Sequence, residues 1–260
     1  MRLIRLFIAT FSISLRRELA FRVDLLFQVL MTAISIAAGL AALGLVYTQT
    51  DTLGGWRLGE AIVLLGTYQI VSGILSTFIE PNVTWFADQV KSGKLDEVLL
   101  KPVPSIFLVS LGSCAPLALS QVVLGIVVLS VGLHELGVVP TAGGVIGWLV
   151  LLTVGVAITW ASRVLLASLA LWFPGVDLDV VYGAVWQFGR YPVDIYRQPL
   201  RAILTYVLPV AFIATYPARA LTQGASPVLI GVGLAIGLAA IAIVQVVWNT
   251  GLRRYTSATS

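Results

Sequence analysis

Residues 90–104 read VKSGKLDEVLLKPVP, a stretch holding three lysines and two adjacent acids and closing on two prolines. Long runs with almost no charge lie on both sides. A segment this short cannot fold alone, so its flanks decide what it is. The whole chain is 58% hydrophobic and 11% charged, where a soluble domain carries about 25% charged residues, and its mean hydropathy is +0.98. That composition predicts an all-α integral membrane protein. The 260 residues give room for roughly six spans of about 20 residues, with no separate soluble domain.

The net charge of +4 does not form one basic patch, and no nucleic-acid module is legible. Instead the positions of the charges report topology. Arg2, Arg5, Arg16, Arg17 and Arg22 precede the first apolar run, Lys91, Lys94 and Lys101 follow the second, and Arg253 and Arg254 follow the last. The positive-inside rule places all three groups in the cytoplasm, which requires an even number of spans. Residues 1–23 read as an interfacial amphipathic helix rather than a cleaved leader. Ile4, Phe7, Phe11, Leu15 and Leu19 recur at helical spacing, with Arg5, Ser12 and Arg16 opposite. The single cysteine, Cys114, excludes an internal disulfide.

Residues 24–260 then read as one transmembrane domain. Its apolar runs are about Leu25–Tyr47, Ala61–Ile79, Ile106–Val131, Ala142–Phe173 (interrupted by Arg163) and Val228–Trp248. Gly143/Gly147 and Gly233/Gly237 are small-xxx-small pairs that permit close helix approach. Residues 174–225 admit two readings. In one, PGVDLD turns the chain, a short span runs from about Val180 to Arg190, and a proline-broken re-entrant hairpin follows on the outer side. In the other, Ala202–Leu221 is the fifth span. The positive-inside rule favours the second, because the first places Arg190, Arg197, Arg201 and Arg219 outside. The first explains Pro192, Pro199, Pro209 and Pro217, because irregular backbone at membrane depth is tolerated where it packs within protein.

No phosphate loop, HExxH or GxSxG motif is present. His134 and Glu135 read as a solvated loop pair, too few for a metal site. A buried ionisable relay of the kind a proton-coupled carrier uses is not visible apart from Arg163.

Four stretches carry a family resemblance: ELAFRVDLLFQVL, GTYQIVSGILSTFIEPNVTWFADQVKSGKLDEVLLKPVPS, GRYPVDIYRQPLRAILTYVLPVAFIATYPARAL and the terminal GLRRYTSA. Together they resemble the permease subunits of type-2 ATP-binding-cassette (ABC) exporters, nearest the viologen-exporter-like and multidrug or natural-product efflux branch. GKLDEVLLKPVP is their most specific element. The resemblance implies six spans, a re-entrant region over residues 189–222, a plasma-membrane location with both termini cytoplasmic, and export of a small lipophilic, drug-like or natural-product cargo through a dimer of identical or homologous permeases.

Without a phosphate loop the chain is not itself an enzyme and binds no cofactor. ATP and Mg would sit on separate nucleotide-binding ATPase subunits. Residues 88–102 are then expected to form a coupling helix: Gly93 for a turn, Leu95 and Leu99 for an apolar contact face, Asp96 and Glu97 as acceptors for basic groups on the ATPase. Gln28, Tyr68, Gln69, Ser72, Gln121 and Arg163 are the candidates for the pathway, expected to line a mostly apolar cavity bordered by membrane lipid. The rival readings are a secondary transporter independent of any ATPase and an integral-membrane lipid-modifying enzyme.

Overall fold

The computed structural model describes residues 2–20, 22–169, 171 and 179–254. Every regular element among them is helical, and the only strand-like pairing is a bridge between Leu53 and Trp56. The order is α1 (Arg2–Leu19), α2 (Arg22–Tyr47), α3 (Leu58–Phe78), α4 (Glu80–Lys91), α5 (Leu95–Leu99), α6 (Ser105–Leu111) and α7 (Leu119–Leu136). Then come α8 (Ala142–Leu169), α9 (Asp179–Gln187), α10 (Leu200–Ala202), α11 (Thr215–Gln223) and α12 (Pro227–Arg254).

Five helices are long and apolar enough to cross a bilayer: Val23–Tyr47, Leu58–Phe78, Pro116–Leu136, Ala142–Leu169 and Pro227–Arg253. Of α3's most apolar window 78% is buried, against 22% for α2 and 17% for α12. Helix α3 is therefore the central post, and α2 and α12 turn their apolar sides outward. A sixth helix of spanning length is not among the described residues. Where a short fifth span was expected, α9 has nine residues, about 14 Å of rise. The expected PGVDLD turn falls almost wholly outside the described residues.

Close packing of α3 on α7 follows from a seven-residue glycine spacing. A Cβ at Gly66 would lie 2.5 Å from the Leu129 backbone nitrogen and 2.7 Å from the Gly125 carbonyl oxygen. One at Gly132 would lie 2.7 Å from the Val63 nitrogen and 2.8 Å from the Gly59 oxygen. With Gly59 against Gly132, Gly66 against Gly125 and Gly73 against the Val122 nitrogen, the two backbones touch. Of the pairs expected from the sequence, Gly147 meets Ala225 and Gly233 meets Phe212, whereas Gly143 faces open space.

The expected third span, Ile106–Val131, is broken. Helix α6 stops at Leu111 and α7 begins only at Leu119. The freed backbone groups are satisfied from neighbouring elements, as burial demands. Asn82, 1% exposed, donates to the carbonyls of Ser113 (2.8 Å) and Ser110 (3.3 Å) and accepts from the Ser113 N–H at 2.6 Å. The Ala115 N–H donates to the Thr77 carbonyl at 2.8 Å. Glu18 of α1 accepts from the Leu117 N–H at 2.8 Å. Cys114 lies in this joint, 1% exposed, and burial, with a smaller contribution from the Glu18 carboxylate, pushes its thiol pKa up.

Helix α1 packs by Phe7 and Phe11 on Phe78, at centroid distances of 5.9 and 6.3 Å, with Ser14 buried behind them. Ile4 and Leu19, on the expected apolar face, are exposed. Buried and half-buried indoles find acceptors, as Trp requires: Trp148 on Thr67 (3.2 Å), Trp160 on Ser110 (2.8 Å) and Trp248 on Ser105 (3.2 Å). His134 and Glu135 sit in the last turn of α7 rather than in a loop.

Two ends of the bundle can be told apart by these contacts. Tyr47 donates to the Trp56 carbonyl, Gly59 meets Leu136 and Gly147 meets Ala225, so the α2–α3, α7–α8 and α11–α12 connections share the Trp56 end. Helix α1, residues 80–115 and the last turns of α12 gather at the Trp248 end.

Candidate functional site

Two places hold the residues singled out above. The first is the segment that follows α4. That helix closes in a Schellman motif, with the Lys94 N–H donating to the Gln89 carbonyl (2.9 Å) and the Gly93 N–H to Val90 (3.2 Å). Gly93 takes φ +68°, a conformation in which a side chain costs about 1–2 kcal/mol. Within the expected coupling segment, residues 88–102, the chain therefore turns at Gly93, and α5 (Leu95–Leu99) is a helix separate from α4. Its sides differ from the expected face. Leu95 and Val98 are 0% and 1% exposed and belong to the same core as Phe86 and Trp248. Leu95 is therefore turned inward and cannot meet a partner. Lys94, Glu97, Leu99 and Leu100 are exposed, Leu100 at 85%, and Asp96 lies at the edge between the two sides.

The second is a cleft of about 300 Å³ between α2, α3, α7 and the end of α9. Thr32 and Ser35 line it from α2, Tyr68, Gln69, Ser72 and Ser76 from α3, and Gln121 from α7. The structure therefore gathers four of the six pathway candidates on one wall system. Gln69 donates to Gln121 at 3.4 Å. Gln28 does not line the cleft; it is exposed on α2, one turn before Thr32 on the same helix face. Arg163 does not line it either, but its guanidinium donates to Glu80 Oε1 at 2.7 Å, and Glu80 closes one end of the cleft while accepting from Ser76 at 2.7 Å. An aromatic column, Tyr68–Trp186–Tyr182, continues from the cleft with centroid spacings of 5.6 and 6.3 Å, and Arg163 stacks 4.8 Å over Tyr182.

The expected cavity was mostly apolar, and this one is polar. An apolar pocket of about 260 Å³ lies on the far side of Trp186, bounded by Ile158, Leu165, Val207 and Ile213. Sequence reasoning missed Glu80 and Arg190 as cleft residues. The signal available was their position: Glu80 follows Ser76 by one helical turn.

Residues 182–223 hold the cleft shut on one side. Tyr182 bonds Ser162 at 2.9 Å, and twelve residues later Asp194 accepts from the Trp56 indole at 3.0 Å, so the chain has climbed to the Trp56 end. It then descends past α10 to Val207–Pro209, which lie beside Ile158 and Ser162 in the apolar pocket. Helix α11 brings it back, where Gln223 donates to Glu60 at 2.9 Å. Asp194 also receives Arg201 and, at 2.6 Å, Arg219. Arg219 lies 5.2 Å over the Trp56 ring. Two of the four arginines that strain the charge rule thus converge on one carboxylate.

A comparison with protein families gives the class. Residues 33–259 match the family described as ABC-2 family transporter protein, and since the match covers most of the chain, this protein belongs to that family. It is a multi-pass membrane component of an ABC transporter, a family whose membrane part is paired with an ATPase and is not itself the catalyst. No curated protein and no solved structure matches the chain.

Proposed function

We propose that this chain is the permease subunit of an ATP-driven exporter, enclosing the path of a small lipophilic or amphipathic compound, with ATP hydrolysed on a separate subunit. Membership of the ABC-2 family over residues 33–259 carries the reading. The α4–α5 turn is read as the coupling element. What supports this is an exposed, charged, proline-stopped corner whose inward side is anchored in the core, so that a force applied to its outer side reaches the bundle. The contact surface for the ATPase is then Lys94, Glu97, Leu99 and Leu100, with Asp96 at its edge; Gly93 makes the corner possible.

The Trp248 end is read as cytoplasmic. It carries Arg5, Arg16, Arg17, Lys94, Lys101 and Arg253, the distribution that the positive-inside rule requires of a cytoplasmic face. Both termini then lie inside the cell at the plasma membrane, with α1 along the inner leaflet. Residues 189–222 are read as a re-entrant hairpin opening on the outer side. Support comes from their descent and return at one end, and from the Asp194 cluster that neutralises part of their positive charge. The outward apolar sides of α2 and α12 fit lipid and a second permease, which encloses the pathway.

The test is affinity purification from the native membrane, followed by identification of co-purifying proteins and an ATPase assay of the complex. A nucleotide-binding subunit should be recovered, and recovery should fail when Asp96 and Glu97 are both changed to lysine. A chain that purifies without any ATPase refutes the reading.

A further inference from the structure

The charges on the cleft do not balance. Its twelve lining residues include two ionisable side chains of fixed charge, Glu80 and Arg190. Glu80 is already engaged by Arg163 behind it, so that pair contributes no net charge. Arg190 has no carboxylate partner among the described residues. Its terminal nitrogen donates to the Ser35 hydroxyl at 3.3 Å, its guanidinium lies 5.6 Å over the Tyr68 ring, and its Nε is buried with no hydrogen-bond partner. A half-buried guanidinium left in this state is costly to keep. The Nε of Arg219 is buried without a partner as well, so what distinguishes the neighbours is an acid: Arg201 and Arg219 share Asp194, and Arg163 has Glu80. The residue that faces the cleft is the one without an acid.

We infer that Arg190 is the receptor for an anionic group, a carboxylate or phosphate, borne by an amphipathic molecule whose apolar body lies against Trp186 and Tyr68. Guanidinium matches those anions in a two-pronged geometry. Thr32, Ser35 and Gln187 add polar side chains around the same point. The inference rests on reading the cleft as part of the pathway, and it narrows the amphipathic cargo of that reading to one that carries an anion. Trp186 borders both the polar cleft and the apolar pocket, so head and body have separate surroundings within one molecule's length.

The probes are two dansyl-undecyl compounds alike except for the terminal group, one a carboxylate and one a trimethylammonium. Each is titrated onto the full-length chain in phosphatidylcholine nanodiscs, with energy transfer from tryptophan as the signal and protein-free discs subtracted. The carboxylate probe should saturate at the lower concentration. Arg190→Gln should weaken it about tenfold or more, the range of a hydrogen-bonded charge, while Arg190→Lys, which keeps the charge but not the two-pronged geometry, should weaken it less, and the ammonium probe is not weakened by either change. Gln187→Glu offers a variant at an exposed position that leaves Arg190 in place and supplies the missing acid; it should weaken the carboxylate probe to a similar degree. Tighter binding of the ammonium probe to the unaltered protein, or carboxylate binding unaffected by Arg190→Gln or Gln187→Glu, overturns the inference. Repeating the titration in phosphatidylglycerol discs separates the sources of the anion: competition assigns the site to a lipid headgroup, and unchanged binding to a mobile cargo. No ATPase is needed for these readings. An ATPase that co-purifies with a chain indifferent to the carboxylate refutes this inference alone, and anion binding by a chain with no ATPase refutes the exporter reading alone.

Discussion

Replacing Gly66 by alanine adds one methyl group where α3 and α7 touch. The new carbon would lie 2.5 Å from the Leu129 nitrogen, 2.7 Å from the Gly125 oxygen and 2.8 Å from the Leu129 Cα, against about 3.5 Å or more for an unstrained contact. All three neighbours are backbone, so no side chain can rotate away. The helices must separate by about 1 Å, which costs about 1–3 kcal/mol in overpacking and weakens contacts along the shared face. Taking about 3 kcal/mol and subtracting about 1 kcal/mol for the better helix propensity of alanine leaves a net loss of about 2 kcal/mol. At about 2–4 °C per kcal/mol, the midpoint of thermal unfolding should fall by roughly 4–8 °C. Tryptophan fluorescence of the purified chain in detergent reads it directly. Gly44→Ala and Gly143→Ala are the controls, since a Cβ at either position meets nothing within 4 Å; both should be neutral or slightly stabilising. Gly125→Ala should resemble Gly66→Ala, and the double change should cost less than the sum because one separation relieves both clashes. A Gly66→Ala protein melting with the unaltered chain, or a Gly44→Ala protein falling as far, refutes the backbone-contact argument.

Other consequences can be measured separately. Asp194→Asn leaves Arg201 and Arg219 facing each other; since those arginines are partly exposed, the loss should be about 1–3 kcal/mol, seen as earlier thermal unfolding and faster proteolysis between Tyr191 and Gln223. Normal stability would refute Asp194 as the fastening point. Arg197→Cys in a chain carrying Cys114→Ser should react with an impermeant reagent from outside intact cells, because Arg197 is exposed on the segment read as outer; labelling from the cytoplasm alone overturns that topology. The unaltered chain should label weakly on either side, since its one thiol is buried. Gly93→Val should cost about 1–2 kcal/mol from its φ of +68° and should uncouple ATPase activity from transport, whereas Gly93→Asn should be milder. Equal activity of the two variants would show that the corner conformation is not needed.

The sequence made the long helices legible because apolar length is enough to mark them. It also drew attention to Tyr68, Gln69, Ser72 and Gln121, polar side chains in spans that would otherwise be uniformly apolar. What hydropathy cannot report is facing. Leu95 and Leu99 looked alike at i,i+4 spacing, but the glycine corner rotates α5 so that Leu95 enters the core while Leu99 does not. The break before α7 was hidden inside an apolar run; Gly112 and Pro116 were its local marks, and the groups that satisfy it, Asn82, Thr77 and Glu18, lie up to 99 residues away. The glycine repeat at 59, 66 and 73 was readable as a seven-residue period, yet the four-residue pairs elsewhere drew the eye. Charge counting treated the arginines of residues 190–219 as an excess on the wrong side, because a one-dimensional rule cannot see one aspartate serving two of them.

Read as the coupling element proposed above, residues 80–115 would act mechanically as a crank. Leu95 and Val98 key α5 into the core that holds Phe86 of α4. Asn82 clasps the strap between α6 and α7, and Ser110 on α6 takes the Trp160 indole of α8. Close-packed interiors yield little under load, so a thrust delivered at Leu99 and Leu100 is not absorbed by bending α5. It is handed on at two points, to the foot of α3 through Asn82 and to the middle of α8 through Trp160. Glu80 lies two residues from Asn82 on α4 and Arg163 three residues from Trp160 on α8, which makes their ion pair the clasp that a stroke of the crank would strain first.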